Sequence, residues 1–596
     1  MIKVTDFIAK RITEHGIRDV FMISGGGAMH LNDSLGNCPG LNYWTNHHEQ
    51  ACAIAAEGYY RAGGRMAAVN VTTGPGGLNC LTGLMGQWTD SIPVLYLSGQ
   101  VKFETTVGSC PESGLRQLGD QEVDIIPVVR PLTKFAVSLT DPGQVKKVLD
   151  KALFLANHQR KGPVWVDIPM NIQGALVDES NLEEFDPVAE GLAVKQTVST
   201  SDIEKIAGLL TGSKRPVLIA GHGIRLAGAI DPFMQLVNLL GIPVLTTFNG
   251  IDLMPGDHPN YGGRIGTLGN RSGNFALQNA DVIICIGTRN NIRQVSYNWQ
   301  NFGHRAVKVI VDIDPAELLK PTLKPDIPVQ ADAGEFCTLL AEAMKKLVIP
   351  DFSSWMDWVK VRLAKYPVVL PEYQSPGKVH PYYFIRQLTL LMGEKGVLVA
   401  GNGTACVAAF QAAEVKKGQR LFWNSGCASM GYDIPAALGA SIGGGGSEVI
   451  CLAGDGSIQM NIQELQTISQ FRLPVKIFYL NNEGYISIKQ TQDNFFNGRR
   501  VACDANSKVS FPEITKLAEA YGIPAVRLQA TADINRITAD VLKMEGPVIC
   551  EVLLRPDYIF KPKVASEKLP DGRMVSKPLE DMFPFLDRDD YNSNML

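Results

Sequence analysis

Three observations predict an α/β protein with doubly wound parallel sheets, divided into several domains. Short, continuously apolar runs alternate with helical patterns through most of the chain. The 596 residues exceed what one core accommodates and suggest about three units of ~150–200 residues each. Two stretches that are polar or rich in proline interrupt the alternation.

The apolar runs are Val69–Thr72, Val94–Ser98, Val164–Ile168, Val217–Ala220, Val282–Ile286, Val307–Ile313, Val397–Ala400, Val449–Ala453 and Val475–Leu480. Parallel strands covered by helices on both faces have this unbroken apolar character. At the N-terminus, MIKVTDFIAKRITEHGIRDVF reads as an amphipathic helix followed by a strand, not as a signal peptide. Residues 178–200 are polar and acidic, and residues 349–381 carry prolines at 350, 367, 371, 376 and 381 around one short helical piece. These stretches divide the chain into 1–177, 195–348 and 379–560, with a tail over 561–596 that is rich in Lys, Pro and Asp and packs over something or folds only in part. The first and third units could share a fold.

Composition excludes several function classes. The net charge of −4 and the absence of a basic cluster interleaved with aromatics argue against nucleic acid and anionic membranes as partners. The 11 cysteines form no CxxC pair, so neither a disulfide framework nor a zinc site is expected. No apolar run approaches the ~20 residues of a membrane span. The expected location is cytoplasmic.

The strongest motif is Gly454-Asp455-Gly456-Ser457, followed after a helical segment (Gln459–Phe471) and an apolar strand by Asn481-Asn482. Both motifs then lie at carboxyl ends of neighbouring parallel strands, where open α/β sheets bind ligands. Asp455 offers a hard carboxylate oxygen, Asn482 a neutral amide oxygen and Gly484 a backbone carbonyl. Such a small oxygen set leaves coordination positions for diphosphate and water, as Mg²⁺ prefers. The glycines let backbone approach a diphosphate, and a helix N-terminus behind them favours the anion. GDG followed by NN at this spacing is the signature of enzymes that use thiamine diphosphate.

A second signal is His47-His48-Glu49-Gln50-Ala51, followed by the turn Thr72-Thr73-Gly74-Pro75-Gly76-Gly77. Thiamine reacts after losing its C2 proton. A carboxylate hydrogen-bonded to the pyrimidine ring promotes the imino tautomer that takes this proton. Glu49, at a helix start beside an apolar region, suits that task. The plainer reading is a helix-capping Glu. For His47 and His48 local packing or backbone orientation is favoured over acid–base work.

Together these motifs resemble the thiamine-diphosphate superfamily and, within it, the acetolactate synthase (acetohydroxyacid synthase) large-subunit group. The resemblance runs to about residue 560 and includes HHEQACAIAAEGYYRAGG, TTGPGGLN, DSIPVLYLSGQV, GPVWVDIP, GTLGNRSGNFALQNAD, GTRNNIR, VDIDPAEL and GDGSIQMNIQELQTISQFRLPVKIFYLNN. It implies three Rossmann-like domains: pyrimidine-binding, central and diphosphate-binding. It implies that Glu49 is the pyrimidine-activating acid, that Gln121 lies near the reacting carbon, and that Asp455, Asn482 and Gly484 hold the metal. It also implies cofactor contacts at Gly26, Thr73, Asn402, Gly403, Thr404, Gly454, Gly456 and Ser457. Met430 would prop the cofactor into a bent shape. FAD, bound in the central domain by members of the group without net redox, would meet Gly221, Gly223, Arg289 and Asp312. The pyrimidine half of each site would come from one subunit and the diphosphate half from another, in a homodimer or homotetramer.

The implied reaction joins a decarboxylated 2-keto acid, pyruvate, to a carbonyl acceptor. Arg293 matches the arginine expected to hold the acceptor's carboxylate. Asp120 and Thr491 stand where the group has an aromatic and a tryptophan, and Met170 where it has a lysine. A more open and polar acceptor pocket follows, which suggests acyl transfer to a keto-sugar nucleotide or another bulky ketone as an alternative. A 2-keto acid decarboxylase or flavin-dependent oxidase on the same scaffold is a further alternative, and a non-catalytic regulatory paralogue is another.

Overall fold

The computed structural model describes residues 1–193, 197–568 and 570–596. The expected start of the central domain, residue 195, lies outside them, as does residue 569 of the tail. Eighteen strands form three six-stranded sheets, each parallel throughout. The α/β, doubly wound class read from the apolar runs is the one observed.

In the first sheet β1 (Asp19–Met22), β2 (Asn42–Thr45), β3 (Ala68–Val71), β4 (Leu95–Gln100), β5 (Phe135–Ser138) and β6 (Val164–Pro169) lie in the order β2-β1-β3-β4-β6-β5. Every residue of β3, β4 and β6 is buried, which explains their unbroken apolar character, whereas the edge strand β2 is largely exposed. Helix α1 (Val4–Glu14) buries Val4, Phe7, Ile8 and Ile12, the one-face spacing of an amphipathic helix. Helix α2 (Glu49–Gly63) opens with His48 as its cap, the imidazole Nδ1 accepting from the Gln50 N–H at 3.0 Å. Helix α3 (Leu81–Asp90) follows the Gly-rich turn after β3.

The central sheet contains β7 (Pro216–Ala220), β8 (Val244–Thr246), β9 (Tyr261–Arg264), β10 (Val282–Ile286), β11 (Val307–Asp312) and β12 (Ile327–Gln330), ordered β9-β8-β7-β10-β11-β12. Helix α4 (Arg271–Asn279) packs on it. The second proline-rich stretch contains more structure than a linker, for its 13-residue helix α5 (Ser353–Lys365) docks Trp355, Met356 and Val359 into the central core.

The third sheet has β13 (Val397–Ala400), β14 (Arg420–Phe422), β15 (Val449–Gly454), β16 (Val475–Asn481), β17 (Ala525–Leu528) and β18 (Val548–Leu553), ordered β14-β13-β15-β16-β18-β17. This repeats the order of the first sheet. Its helices include α6 (Thr404–Ala412), α7 (Asp433–Gly443), α8 (Glu464–Gln470) and α9 (Ile486–Phe496). The segment expected to be helical from Gln459 to Phe471 is a 3₁₀ turn over Ile458–Asn461 before α8. Within that turn the Asn461 amide donates to the Gly431 carbonyl at 2.7 Å.

The first and third domains meet through α2 and α7, whose sequences are rich in Ala and Gly. A Cβ on Gly58 would lie 2.1 Å from the Ala436 carbonyl oxygen, and one on Gly439 1.9 Å from that of Ala55. Backbone therefore touches backbone, and one apolar core runs from Phe21, Ile54 and Tyr96 to Leu438, Val449 and Ile477.

A buried ionic network crosses the same junction. Arg61 donates to Glu57 at 2.8 Å and to Asp90 at 2.7 Å, and Tyr432 donates to Glu57 at 3.0 Å. Arg420 reaches the Arg61 carbonyl at 2.9 Å and Asp252 of the central domain at 2.6 Å. Burial works against ionisation of Asp252, but Arg420 and Arg225 more than offset it and hold the carboxyl below its usual value. Burial pulls the Arg420 guanidinium down to about 10, with Asp252 opposing. Buried charges persist only when paired in this way.

The tail folds onto the central domain. Residues 563–564 pair antiparallel with 582–583, and α4 directs its buried amides at the tail. Asn274 donates to the Leu579 carbonyl at 2.9 Å, Gln278 to Glu580 at 2.7 Å and Asn279 to the Asn594 carbonyl at 2.8 Å. Among the described residues no helix is long and apolar enough to cross a membrane.

The helix contact yields a stability prediction. Gly439→Ala is expected to lower unfolding free energy by at least about 2 kcal/mol, because the new methyl meets backbone rather than a movable side chain. Gly208→Ala, on an exposed helix position with open space around it, is expected to be neutral or stabilising by up to ~1 kcal/mol. Denaturant titration of the two variants checks the contrast, and equal effects would refute it.

Candidate functional site

The carboxyl edge of the third sheet builds the first half of the site. β15 ends in Gly454 and delivers Asp455, which is 3% exposed. Its Oδ2 accepts the N–H of Asn482 at 2.9 Å and of Gly484 at 3.0 Å, and its Oδ1 that of Gly456 at 2.9 Å. The loop after β16 is thereby wrapped around this carboxylate. Gly484 sits at φ +135°, and a side chain there would meet the Cys503 carbonyl. The Tyr485 ring covers Gly456 so closely that any Cβ would overlap it. Ser457 accepts the Gly431 N–H at 2.9 Å, which ties this turn to Met430 just before α7. Asn402 donates to the Ala428 carbonyl at 2.5 Å, and Gly403 and Thr404 begin α6 on the neighbouring strand end.

Burial pushes the Asp455 carboxyl up to about 6, against the opposing pull of its three N–H donors. Ionisation at neutral pH is therefore under strain that a cation would relieve. Among the described residues no group of three or more His, Cys, Asp or Glu side chains could hold a metal. A cation at Asp455 would lean on neutral oxygens and on its ligand's phosphates, which fits Mg²⁺ with a diphosphate. The nearest regular helix, α8, starts at Glu464, so the N–H donors next to Asp455 belong to a turn and not to the helix start expected there.

The second half lies in the first domain. Glu49 is the first residue of α2; its Oε2 accepts from Asn79 at 2.9 Å, and its Oε1 is 3.8 Å from the position of a Cβ on Gly76. Thr73 is buried and donates to the Gly99 carbonyl and to Gln100, both at 2.9 Å. Gln121 adopts φ +62°, and its carbonyl presses against Gly74. Glu49, Thr73 and Gln121 thus gather around the 72–77 turn, with Gly26 exposed nearby on the sheet edge after β1. No hydrogen bond joins Glu49 to residues 454–457 or 482–484 among the described residues. The two halves are linked instead by Glu464 of α8, which accepts from Asn46 at 2.8 Å and from the His47 N–H at 2.9 Å.

A cavity of about 340 Å³ opens at the carboxyl edge of the central sheet. Gly223, Arg289, Arg293 and Asp312 line it, with Asp90 and Lys161 from the first domain and Phe410 from the third. Burial raises Asp312 to about 6. Gly221 does not line the cavity; a Cβ there would lie 2.2 Å from the Gly287 carbonyl, so its small size serves strand-end packing. Arg293 stacks over Phe248 at 4.7 Å and leaves its buried Nη1 without a partner. Asp120 and Thr491 are exposed on other domains, and Thr491 donates to the Ser487 carbonyl within α9. One chain therefore does not bring the three expected acceptor residues into contact. Sequence reasoning missed Glu464 and Tyr558, both buried, the first bonded to the chain just before Glu49 and the second to Asn482. Neither belongs to a short motif whose chemistry stands out.

Comparisons agree with this architecture. The family description "Thiamine pyrophosphate enzyme, N-terminal TPP binding domain" matches residues 2–126, the central domain of the same family 203–340, and its C-terminal TPP binding domain 401–552. Acetolactate synthase 1, chloroplastic, from Zea mays is 31% identical over 571 residues, covering 95% of this chain and 87% of the relative. The acetolactate synthase large subunit of Lactococcus lactis is 31% identical over 559 residues, covering 92% of each. The probable acetolactate synthase large subunit of Methanocaldococcus jannaschii is 29% identical over 567 residues, covering 93% and 92%.

The Asp455 environment sets a pH dependence. The folded carboxyl, at about 6, holds its proton more tightly than an unfolded one at 3.8. Without divalent cation, stability should fall as pH rises through that window, by on the order of 2–3 kcal/mol, and level off above it. Asp455→Asn should lessen the decline without abolishing it, because burial raises Asp312 to about 6 as well. Melting temperatures across pH test this, and a decline as steep in the variant as in the wild type would contradict it.

Proposed function

The chain belongs to the thiamine pyrophosphate enzyme family, and from that premise we propose that it is an acetolactate-synthase-like transferase, a carboligase that decarboxylates pyruvate and joins the remaining two-carbon unit to a second 2-keto acid. The observation that carries this reading is the pairing of a buried Asp455–Asn482 carboxyl edge in the third domain with Glu49 at a helix start in the first. The named relatives are all acetolactate synthases, which favours ligation over simple decarboxylation, flavin-dependent oxidation or transfer to a keto-sugar nucleotide.

Asp455, Asn482 and the Gly484 carbonyl would hold Mg²⁺, and Gly454, Gly456, Ser457, Asn402, Gly403 and Thr404 would receive the diphosphate. Met430 would support the cofactor's bend. When bound, thiamine diphosphate supplies a nucleophilic carbon that attacks the keto group and stabilises the charge left by loss of CO₂. Glu49 would hold a proton against the pyrimidine ring and so promote loss of the C2 proton. Gln121, packed against the Gly-rich turn beside Glu49, would face the reacting carbon. Arg293 would receive the acceptor's carboxylate, with Asp120 and Thr491 shaping the rest of that pocket.

Two features support assembly from at least two chains. Glu49 and Asp455 share no hydrogen-bonded contact within one chain, and the exposed apolar residues Leu78, Met85 and Trp88 lie on the helices beside Glu49. A homodimer would complete two sites from opposite halves, and a homotetramer would pair such dimers. The central cavity, with Arg289 and Asp312 at parallel strand ends, supports FAD as a second cofactor. A visible flavin spectrum on purification tests that assignment.

Glu49→Gln is expected to cut turnover by roughly 10²–10⁴-fold with little change in melting temperature. Mass spectrometry of products from pyruvate should show acetolactate from the wild type. Near-full turnover by the variant would remove Glu49 from its role, and acetaldehyde or acetate as the main product would overturn the ligation.

A further inference from the structure

The residue that closes the diphosphate half of the site comes from beyond β18. Tyr558 is 4% exposed, and its hydroxyl donates to the Asn482 Oδ1 at 2.6 Å while lying 2.8 Å from the Thr404 hydroxyl. These two partners stand after β16 and β13, the strands on either side of the one that carries Asp455. The segment around Tyr558 is itself anchored. Gln490 donates to the Tyr558 carbonyl at 3.1 Å, Lys561 donates its N–H to the Tyr382 hydroxyl at 3.2 Å, and Gln411 donates to the Pro562 carbonyl at 2.6 Å.

We propose that Tyr558 is a positioning residue for the cation site, its hydroxyl holding the Asn482 carboxamide with the oxygen rather than the amino group toward the metal. The proposal rests on the reading of Asn482 as a cation ligand given above. A carboxamide presents either an acceptor or a donor when turned by half a revolution, and only the acceptor binds a cation. The Asn482 amino group has one long contact, 3.4 Å to the Leu480 carbonyl, which does little to set the orientation. The tyrosine donor sets it. It occupies one lone pair of Oδ1 and leaves the other for the metal. The Thr404 hydroxyl can in turn donate to Tyr558, so the orientation of Asn482 is tied to the turn expected to meet the diphosphate. Partners behind a metal ligand typically change metal affinity by ~10–100-fold.

The test is a Mg²⁺ titration of the full-length protein at saturating thiamine diphosphate, followed by intrinsic tryptophan fluorescence. Tyr558→Phe should raise the half-saturating Mg²⁺ concentration by ~10–100-fold, with the cofactor-free melting temperature unchanged. In an Asn482→Asp background the same substitution should shift it by less than ~2-fold, because both atoms of a carboxylate are acceptors. Wild-type saturation by Tyr558→Phe, or an equal penalty in both backgrounds, would overturn the proposal. If Asn482→Asp no longer binds Mg²⁺, the comparison of wild type with Tyr558→Phe decides. Should Tyr558→Phe fail to fold, Thr404→Val, which removes the hydroxyl's other partner, should shift Mg²⁺ saturation in the same direction with thiamine diphosphate affinity at saturating Mg²⁺ unchanged, and no shift, or a loss of that affinity, would count against the proposal. A wild type whose thiamine diphosphate binding ignores Mg²⁺ would instead overturn the underlying metal reading.

Discussion

The contact between α2 and α7 is the constraint on which the remaining arrangement depends. α2 begins at Glu49, and α7 begins three residues after Met430. Their backbones touch because Gly58 and Gly439 stand at the crossing, so the two helices have almost no freedom to slide. Neither end could be repositioned without moving the other domain. The ionic network beside this contact adds a second condition. Glu57, Arg61, Asp90, Arg420 and Asp252 come from all three domains, and each neutralises a charge that would be intolerable alone. Apolar packing brings the domains together without directional preference. The charges make one particular docking far better than its neighbours.

The candidate site follows a consistent electrostatic plan. Its diphosphate half surrounds the buried Asp455 carboxylate with backbone N–H groups, which suits a ligand that brings its own negative charge together with a cation. Its other half places a partly exposed Glu49, at the start of α2, beside a Gly-rich turn where an aromatic ring could lie flat against backbone. Glu464 fastens the chain just before Glu49 to the helix that follows Asp455. The two halves of one chain are therefore mechanically connected although no hydrogen bond joins Glu49 to the Asp455 turn among the described residues.

Much of this was legible in the sequence, for identifiable reasons. Parallel strands announce themselves because they are buried on both sides, and β3, β10 and β15 match their apolar runs to within a residue. Asp455 and Asn482 were legible because strand ends and oxygen chemistry coincide there. The turn over residues 458–461 was not, since its sequence has ordinary helical periodicity and its ties to Gly431, through Ser457 and Asn461, lie about 30 positions away. Tyr558 was hidden in an irregular segment whose partners lie 76 and 154 positions away. Apart from the i,i+4 pair of Glu57 and Arg61, the ionic network was hidden for the same reason, because long-range pairing of charges leaves no local pattern. Helix α4 is polar in sequence although every residue of it is buried, because its amides pair with the tail.

That last feature bears on how the protein is made. The amides of α4 are paired by groups that lie about 300 positions later in the chain, at residues 579, 580 and 594. During synthesis the central sheet can form long before those partners leave the ribosome. Until then, Asn274, Gln278 and Asn279 keep only their partners within the central domain, the carbonyls of Gly266, Asn301 and Phe275, and the surface that will be buried stays wet. The central domain thus passes through a stage in which its sheet is complete and its outer layer is not. A chain interrupted before residue 579 would keep α4 without the cover of its tail partners.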